Sequence, residues 1–304
     1  MINFFNNFLN KKKVIIVTHD GAFHADDIFA CATLGLSLDA EGREYRIIRT
    51  REQNKIDFAD IVVDVGGVYD AGQNRFDHHQ EGGAGTRDND VPYAALGLVW
   101  KSYGEKICKN KEVSDLIEER LVQAVDANDN GIDLFNLKTE VSPYCIQNMF
   151  YVFRPSYTEE PDYDTPFLKL VDFAKEILKR EIKKTSDTVN ARDMVKHAYL
   201  NAEDKRIVCL EQSYPWMDTI LNYENTIFVV YPKAGTWRVE GVRKNKDSFE
   251  TRKPMPTKWA GKRDLELIKE TGVKDAVFCH NGRWLVVAKS KEGALELANK
   301  ALND

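Results

Sequence analysis

Five consecutive residues, Val14-Ile15-Ile16-Val17-Thr18, are all β-branched, with no polar alternation among them. Such a run fits a strand covered on both faces, the kind found in parallel sheets sandwiched between helices. Polar residues follow at once, His19-Asp20-Gly21-Ala22-Phe23-His24-Ala25-Asp26-Asp27, and then Ile28, Phe29, Cys31, Ala32, Leu34 and Leu36 fall at helical spacing. Polar residues between a buried strand and a helix lie at the carboxyl edge of a sheet, where open α/β folds hold their ligands. Asp26 and Asp27 also suit a helix N-terminus, by capping and by charge. Capping does not account for two histidines five residues apart in the same loop.

The same arrangement recurs downstream. Tyr45–Arg49 reads as a second strand and Ile61–Val65 as a third, closing on Asp64-Val65-Gly66-Gly67. An acid at the end of an apolar strand is costly to bury without a cation or a donor, and the glycines let the backbone turn close to it. Val68-Tyr69-Asp70 and Arg75-Phe76-Asp77 read as a hairpin whose second arm presents Asp77-His78-His79. Strand alternation sends Asp77 and His79 to one face and His78 to the other. Glu81–Thr86 is glycine-rich but lacks the lysine of a P-loop, and is expected to be a flexible loop near the site. Helices are expected from Tyr93 to Tyr103, ended by Gly104, and from Leu116 to Ala127. Asp126, Asn128 and Asp129 crowd the end of the second, where carboxylates oppose the helix dipole unless a cation is bound. Asp129 taken alone reads as part of a solvated Asp/Asn turn. Further helices are expected over Val141–Phe150, Phe167–Lys183 and Ser186–Leu200.

A chain of 304 residues most naturally makes two domains. We expect an N-terminal extension at 1–13, a catalytic domain at 14–190 and a substrate-binding domain at 191–304, with the boundary inside 185–205. The expected fold class is α/β, a mostly parallel sheet followed by a smaller α+β domain. In the latter, Ile207–Leu210, Thr226–Tyr231, Trp237–Val242, Ala276–Cys279 and Trp284–Ala288 read as strands. Leu265–Thr271 and Glu292–Leu302 read as helices. The net charge of −5 gives no general attraction to nucleic acid, so any such affinity must be local. From Lys233 to Arg263 ten Lys/Arg face three acids, which marks an anion-binding surface. Trp237 and Trp259 lie within it, suited either to stacked bases or to the core. Arg238, Arg252, Lys253 and, at a strand turn, His280 are the candidate substrate contacts there, and Arg154 is a further one. Five dispersed cysteines without a C-x-x-C pair fit thiols in a reducing compartment. No segment approaches the roughly 18 apolar residues needed to span a bilayer, so a cytoplasmic enzyme without membrane contact is expected.

His19, His24, Asp26, Asp64, Asp77, His78, His79 and Asp126 thus gather at strand and helix ends. So many carboxylates and imidazoles, without thiolates, do not match a structural zinc. Two Mn²⁺ ions sharing one aspartate fit better, with Mg²⁺ as the alternative, because mixed oxygen and nitrogen ligation favours manganese. Asp64 is the candidate bridge. Two metals can activate a water and stabilise the leaving oxygen of a phosphate ester.

At these residues the chain resembles the DHH phosphoesterase superfamily, whose four motifs occur in the same order. Finer features resemble its melanocyte-proliferating-gene (MYG-type) exonuclease family, once labelled metal-dependent protein hydrolases. They are Thr18–His24, Val63–Asp70, Phe76–Gln80, Val125–Gly131, Ser248–Pro254 and Glu292–Leu295. The resemblance implies a two-domain, two-metal phosphoesterase acting 3′–5′ on RNA or single-stranded nucleic acid. It implies that His19, His24, Asp26, Asp64, His78 and Asp126 carry metal, that His79 faces the phosphate as ligand or acid, and that Asp77 orients the histidines. The chain departs from the wider superfamily in its first motif, where His24 replaces an Asp, and in lacking a Gly-Gly-Gly-His, with Cys279-His280-Asn281-Gly282 in the comparable region. A small-molecule phosphatase or pyrophosphatase, an oligonucleotide phosphodiesterase and a non-catalytic metal-binding regulator are the competing readings. The oligomeric state is left open, a homodimer included. A metalloprotease is disfavoured because no H-E-x-x-H helix is present.

Overall fold

The computed structural model describes residues 13–137 and 139–304. The expected N-terminal extension, apart from Lys13, lies outside the described residues. The chain divides into two compact units between Thr185 and Ser186.

The first unit begins with β1 (Val14–Thr18), α1 (Ala25–Ala40), β2 (Tyr45–Arg49), α2 (Gln53–Phe58) and β3 (Ile61–Val63). A hairpin follows, β4 (Tyr69–Asp70) and β5 (Arg75–Phe76), and then α3 (Ala95–Cys108) and α4 (Lys111–Ile117). A five-residue π turn, Glu118–Val122, leads into α5 (Gln123–Asp129), then α6 (Ile146–Tyr151) and α7 (Asp164–Asn201), whose residues from Ser186 on belong to the second unit. The sheet order is β2-β1-β3-β5-β4, parallel except for the β4–β5 hairpin. Ile16 and Val17 are fully buried, as their uninterrupted β-branched run requires. Val17 and Val62 pack with Ile56 of α2 and with Ala59, while α1 lies against α3, β2 and β3. Nearly every residue of α1 from Ala25 to Leu38 is buried, so it is a core helix and not an amphipathic surface one.

Two expected helix limits are corrected. Gly104 does not end α3, which runs on to a left-handed cap at Lys109. A side chain at Gly104 would meet Trp100 Nε1 at 2.6 Å, so this glycine makes room for the tryptophan and does not break the helix. The segments expected as two helices around residues 184–185 form one, α7, because no breaking residue separates them.

The second unit adds β6 (Ile207–Cys209), α8 (Met217–Ile220), β7 (Phe228–Lys233), β8 (Thr236–Gly241), α9 (Asp264–Thr271), β9 (Ala276–Cys279), β10 (Leu285–Ala288) and α10 (Lys291–Asn303). Its sheet runs β6-β7-β8-β10-β9, with β6–β7 the single parallel pair. One core cluster joins Phe228, Val230, Val239 and Val286 to Leu267 of α9 and Leu297 of α10. Another joins Val208, Val229 and Tyr231 to Val195 of α7 and Ile220 of α8. Among the described residues no helix is long and apolar enough to cross a membrane.

Candidate metal centre

β1, β3 and β5 are parallel neighbours, so their carboxyl ends meet at one edge of the first sheet. His19 follows β1, Asp64 follows β3, and Asp77-His78-His79 follow β5. The first turn of α1 adds Asp26 and Asp27, preceded by His24, and the last turn of α5 adds Asp129. Three groups of side chains come close enough to share a cation: His19, His24 and Asp64; Asp64, His78 and His79; and His24, Asp26 and Asp129. Within each group the ligand atoms lie within 4.8 Å of one another. Asp64 and His24 each belong to two groups.

Asp64 owes its position to an unusual backbone. It has φ of 54°, left-handed, and Gly66 and Gly67 follow at 96° and 67°. The left-handed region costs an aspartate some strain, which persists only where the surroundings over-determine it. Here Asp64 N donates to Phe76 O at 3.0 Å, which locks the turn to the end of β5. The carboxylate then faces both ways. Its Oδ2 lies 3.3 Å from His19 Nε2, and its Oδ1 lies 3.3 Å from His78 Nε2 and 3.4 Å from His79 Nδ1.

Asp77 organises the histidine pair. Its Oδ1 accepts from the backbone N–H of His78 and of His79 at 2.8 and 3.2 Å, and lies 2.7 Å from His79 Nδ1. Its Oδ2 accepts from Gly67 N at 2.5 Å. With Nδ1 so engaged, Nε2 is the ring nitrogen left to His79, whose side chain is 61% exposed. His19 Nδ1 lies 2.9 Å from the Asp20 carbonyl, which assigns the proton to Nδ1 and leaves Nε2 to face the carboxylates.

The electrostatics call for positive charge. Burial opposes protonation of His19, yet Asp27 and Asp64 push its pKa up to about 10. Burial likewise opposes His78, and Asp129 and Asp64 push it up to about 10. Burial raises the Asp64 carboxyl, but His19 and His78 outweigh it and hold it below the usual range. Asp26 has no such relief. Burial first, then the charges of Asp64, Asp129, Asp27 and Asp126, push its pKa well up. Both Asp26 oxygens are buried and accept no hydrogen bond among the described residues, while Asp64 Oδ1, Asp27 Oδ2 and His78 Nε2, also without a well-formed hydrogen bond, have only the ion-pair contacts at 3.1–3.4 Å. An unpartnered buried carboxylate costs several kcal/mol, roughly, so these atoms fit a divalent cation held by oxygen and imidazole nitrogen.

Several expected site residues sit elsewhere. Asp126 is not aimed at this cluster. Its Oδ2 pairs with Arg87 Nη2 at 2.8 Å and its Oδ1 accepts from Gly97 N at 3.0 Å, all deep in the core. Asp129, three residues on, takes the place expected of Asp126, with Oδ2 at 3.3 Å from His78 Nε2. Asp27, read above mainly as a cap, does cap α1 by accepting from His24 N at 3.0 Å. It also reaches His19 Nε2 at 3.1 Å with its other oxygen. Arg154 borders the site but its guanidinium is committed. Nε and Nη2 both donate to Phe23 O, and the group lies 4.0 Å over the Tyr151 ring.

The candidate substrate contacts of the second unit each have a place within that unit. Arg252 donates to the carbonyls of Leu221, Tyr223, Glu224 and Thr226, and Lys253 to that of Leu302. Both cations hold loops of their own unit together. Trp259 is 2% exposed and belongs to the core, and Trp237 packs against it. His280 Nδ1 accepts from Gly282 N at 2.9 Å, and its ring centre lies 4.8 Å from that of Trp284. Arg238 sits beside Tyr231 on β7, with a buried Nε that has no partner among the described residues.

A sheet edge that gathers these carboxylates and imidazoles around unsatisfied buried oxygens is the candidate centre of a metal-dependent hydrolase. The chain belongs to the MYG1 family: the family profile MYG1_exonuc, described as an uncharacterised protein family (UPF0160), matches residues 15–302. The MYG1 protein of Dictyostelium discoideum is 31% identical over 95% of this chain and 96% of its own length. That of Chlamydia muridarum is 32% identical over 94% and 95%. The human MYG1 exonuclease is 30% identical over 94% of this chain and 85% of its own. Among solved structures, exonuclease RecJ bound to manganese aligns with 95% of this chain and 90% of its own, at 11% identity and a TM-score of 0.27, a likeness on which no argument rests.

Proposed function

We propose that the protein is a metal-dependent exonuclease acting 3′–5′ on RNA or another single-stranded nucleic acid, with two Mn²⁺ ions, or Mg²⁺ in their place, as cofactor. The observation that carries this reading is Asp64, one buried carboxylate shared between two groups of histidines beside the unsatisfied oxygens of Asp26. The human relative's name, MYG1 exonuclease, supports the nuclease class.

In this reading His19, His24, Asp26, Asp64, His78 and Asp129 hold the metal, Asp129 standing where Asp126 was expected. Bound divalent ions would supply an activated water and stabilise charge on a phosphate ester. The chain's own groups do the rest. Asp77 fixes the His79 ring and raises its pKa, so that Nε2 can carry a proton to a leaving oxygen. The first unit is the catalytic one. The second adds strand-binding surface through Arg238 and His280. The five free thiols support a reducing, cytoplasmic setting.

The test is to incubate Mn²⁺-loaded protein with end-labelled RNA, with dinucleotides and with pyrophosphate. Stepwise shortening of RNA from its 3′ end is the expected result. Hydrolysis of pyrophosphate alone would overturn the proposal.

A further inference from the structure

Beside the metal cluster lies an open cleft of about 490 Å³, and among the described residues its lining contains one aromatic residue outside the histidines, Tyr151, and one Lys/Arg, Arg51. Arg51 is already paired with Asp20 at 3.2 Å. A compact polyphosphate is normally gripped by several cations or by bidentate arginines, which this lining lacks. What the cleft offers instead is a ring held in place. Tyr151 ends α6 and is half-buried, its ring centre 6.3 Å from that of His24 and nearly perpendicular to it, at 76°. The Arg154 guanidinium lies over it at 4.0 Å. Arg154 is pinned in turn by Phe23 O, one residue before His24, and Phe23 is fully buried. The ring, its cation and the metal-facing loop are therefore tied together, so little freedom is lost when a flat ligand settles on the exposed part of the tyrosine.

We infer that Tyr151 is the platform on which the terminal nucleobase stacks, placing the adjoining phosphate at the metal centre. This makes the ligand a nucleotide with its base exposed, at the end of an unpaired strand, and not a bare phosphate compound. The inference rests on the nuclease reading for its substrate. The stacking itself does not depend on turnover.

The experiment compares wild-type protein with Tyr151→Leu and Tyr151→Phe. The first arm measures kcat and KM, with Mn²⁺, on a dinucleotide and on the same compound with an abasic terminal residue. Loss of a stacked base costs roughly 5- to 150-fold. Tyr151→Leu should raise KM for the dinucleotide by that factor, with kcat little changed, and leave KM for the abasic compound where it was. Tyr151→Phe, which keeps the ring, should restore the preference for the compound with the base. Equal losses on both compounds would overturn the platform, as would a phenylalanine variant as impaired as the leucine one. The second arm titrates AMP and ribose 5-phosphate in the presence of Mn²⁺. Wild-type protein should bind AMP at least fivefold more tightly and Tyr151→Leu should bind the two alike; equal affinities in the wild type overturn the inference. Absence of cleavage in the first arm, with AMP preferred in the second, would refute the nuclease reading and support the platform.

Discussion

Asp126 and Asp129 lie three residues apart on one helix, and exchanging each for asparagine should give opposite phenotypes. Asp126 is fully buried, and its partner, the Arg87 side chain, is 6% exposed. Burial pushes the Asp126 carboxyl up to about 7 against the pull of Arg87. Arg87 keeps Glu118 Oε1 at 2.5 Å and Pro92 O at 3.2 Å when Asp126 is exchanged. Asparagine keeps an oxygen that can accept from Gly97 N, so the loss is that of one charge-assisted hydrogen bond, about 1.5–3 kcal/mol. In a unit of this size that is a fall in melting temperature of roughly 3–12 °C. The Kd for Mn²⁺ should change by less than about fivefold, since only a distant, partly screened charge is lost. Asp129→Asn removes a carboxylate that shares a cation-sized group with His24 and Asp26. Loss even of outer partners of a metal costs about 10–100-fold in affinity, so a direct ligand should cost at least about 100-fold. Stability of the metal-free Asp129→Asn protein should hardly move, because relief of repulsion at Asp26 offsets the lost contact with His78. Chelator-stripped protein, calorimetric titration with MnCl₂ and thermal melts with and without metal measure all four quantities. If Asp126→Asn abolishes metal binding while Asp129→Asn retains it, the assignment of the helix face is wrong.

Four further outcomes are expected. His19 and His78, both raised to about 10, carry protons near neutrality in metal-free protein, so Mn²⁺ uptake at pH 7–8 should release about two protons from these rings, in addition to any held by Asp26, whose pKa is also pushed up, and should tighten as pH rises toward 10; titrations in buffers of different ionisation enthalpy that detect no release would refute this. By the same linkage the two histidines stabilise the metal-free fold fully below about pH 6.5 and lose that contribution as pH climbs through about 10, which pH-dependent melts can follow. Asp77→Asn keeps an acceptor but removes the charge that raises His79, so kcat should fall about 10- to 100-fold and its pH profile should shift to lower pH, while Mn²⁺ affinity stays within about tenfold; an unshifted profile would count against His79 as the proton carrier. In Gly97→Ala the new methyl would lie 2.6 Å from Arg87 Nη2 and press on Asp126, so a loss of about 3 kcal/mol or more is expected, and an unchanged melting temperature would show that the Arg87–Asp126 pair can move aside.

Strand ends were the most legible part of the chain. β-branched runs located β1, β2 and β3, and because parallel neighbours end at one edge, the residues following those runs converge. Helix phase was harder to read. Positions i and i+3 share a helix face closely enough that Asp126 and Asp129 cannot be separated without knowing what packs there, and the partner that claims Asp126, Arg87, lies 39 residues away. The intramolecular partners of clustered cations were hidden for a related reason. A sequence shows that Arg252 and Lys253 are charged, but not that backbone carbonyls at Leu221, Tyr223, Glu224, Thr226 and Leu302 turn inward and need donors. Gly104 shows the same limit, since its role is set by a tryptophan one turn earlier on the same helix.

The left-handed residues separate functional strain from ordinary turn geometry. Among the described residues, seven non-glycine ones have positive φ: Asp64, Asn74, Asp90, Lys109, Ala234, Asp264 and Arg283. Six are exposed or half-buried. Lys109, for example, is a helix cap and Asn74 closes a hairpin, where water or a local hydrogen bond relieves the backbone. Asp64 alone among them is buried, and it carries a charge whose Oδ1 accepts no hydrogen bond. Left-handed strain and burial of an unsatisfied carboxylate are each unfavourable, by about 1–3 kcal/mol and by several, and nothing in strand packing requires both at one residue. Their coincidence makes sense once the turn is seen to aim one carboxylate at histidines on either side. Asp64→Gly should relax the backbone, but it also strips His19 and His78 of a carboxylate that holds them charged in metal-free protein. The metal-free variant should therefore be no more stable than the wild type, while metal binding is lost at both groups that share Asp64. A metal-free Asp64→Gly protein more stable than the wild type would show that the backbone strain outweighs these ion pairs.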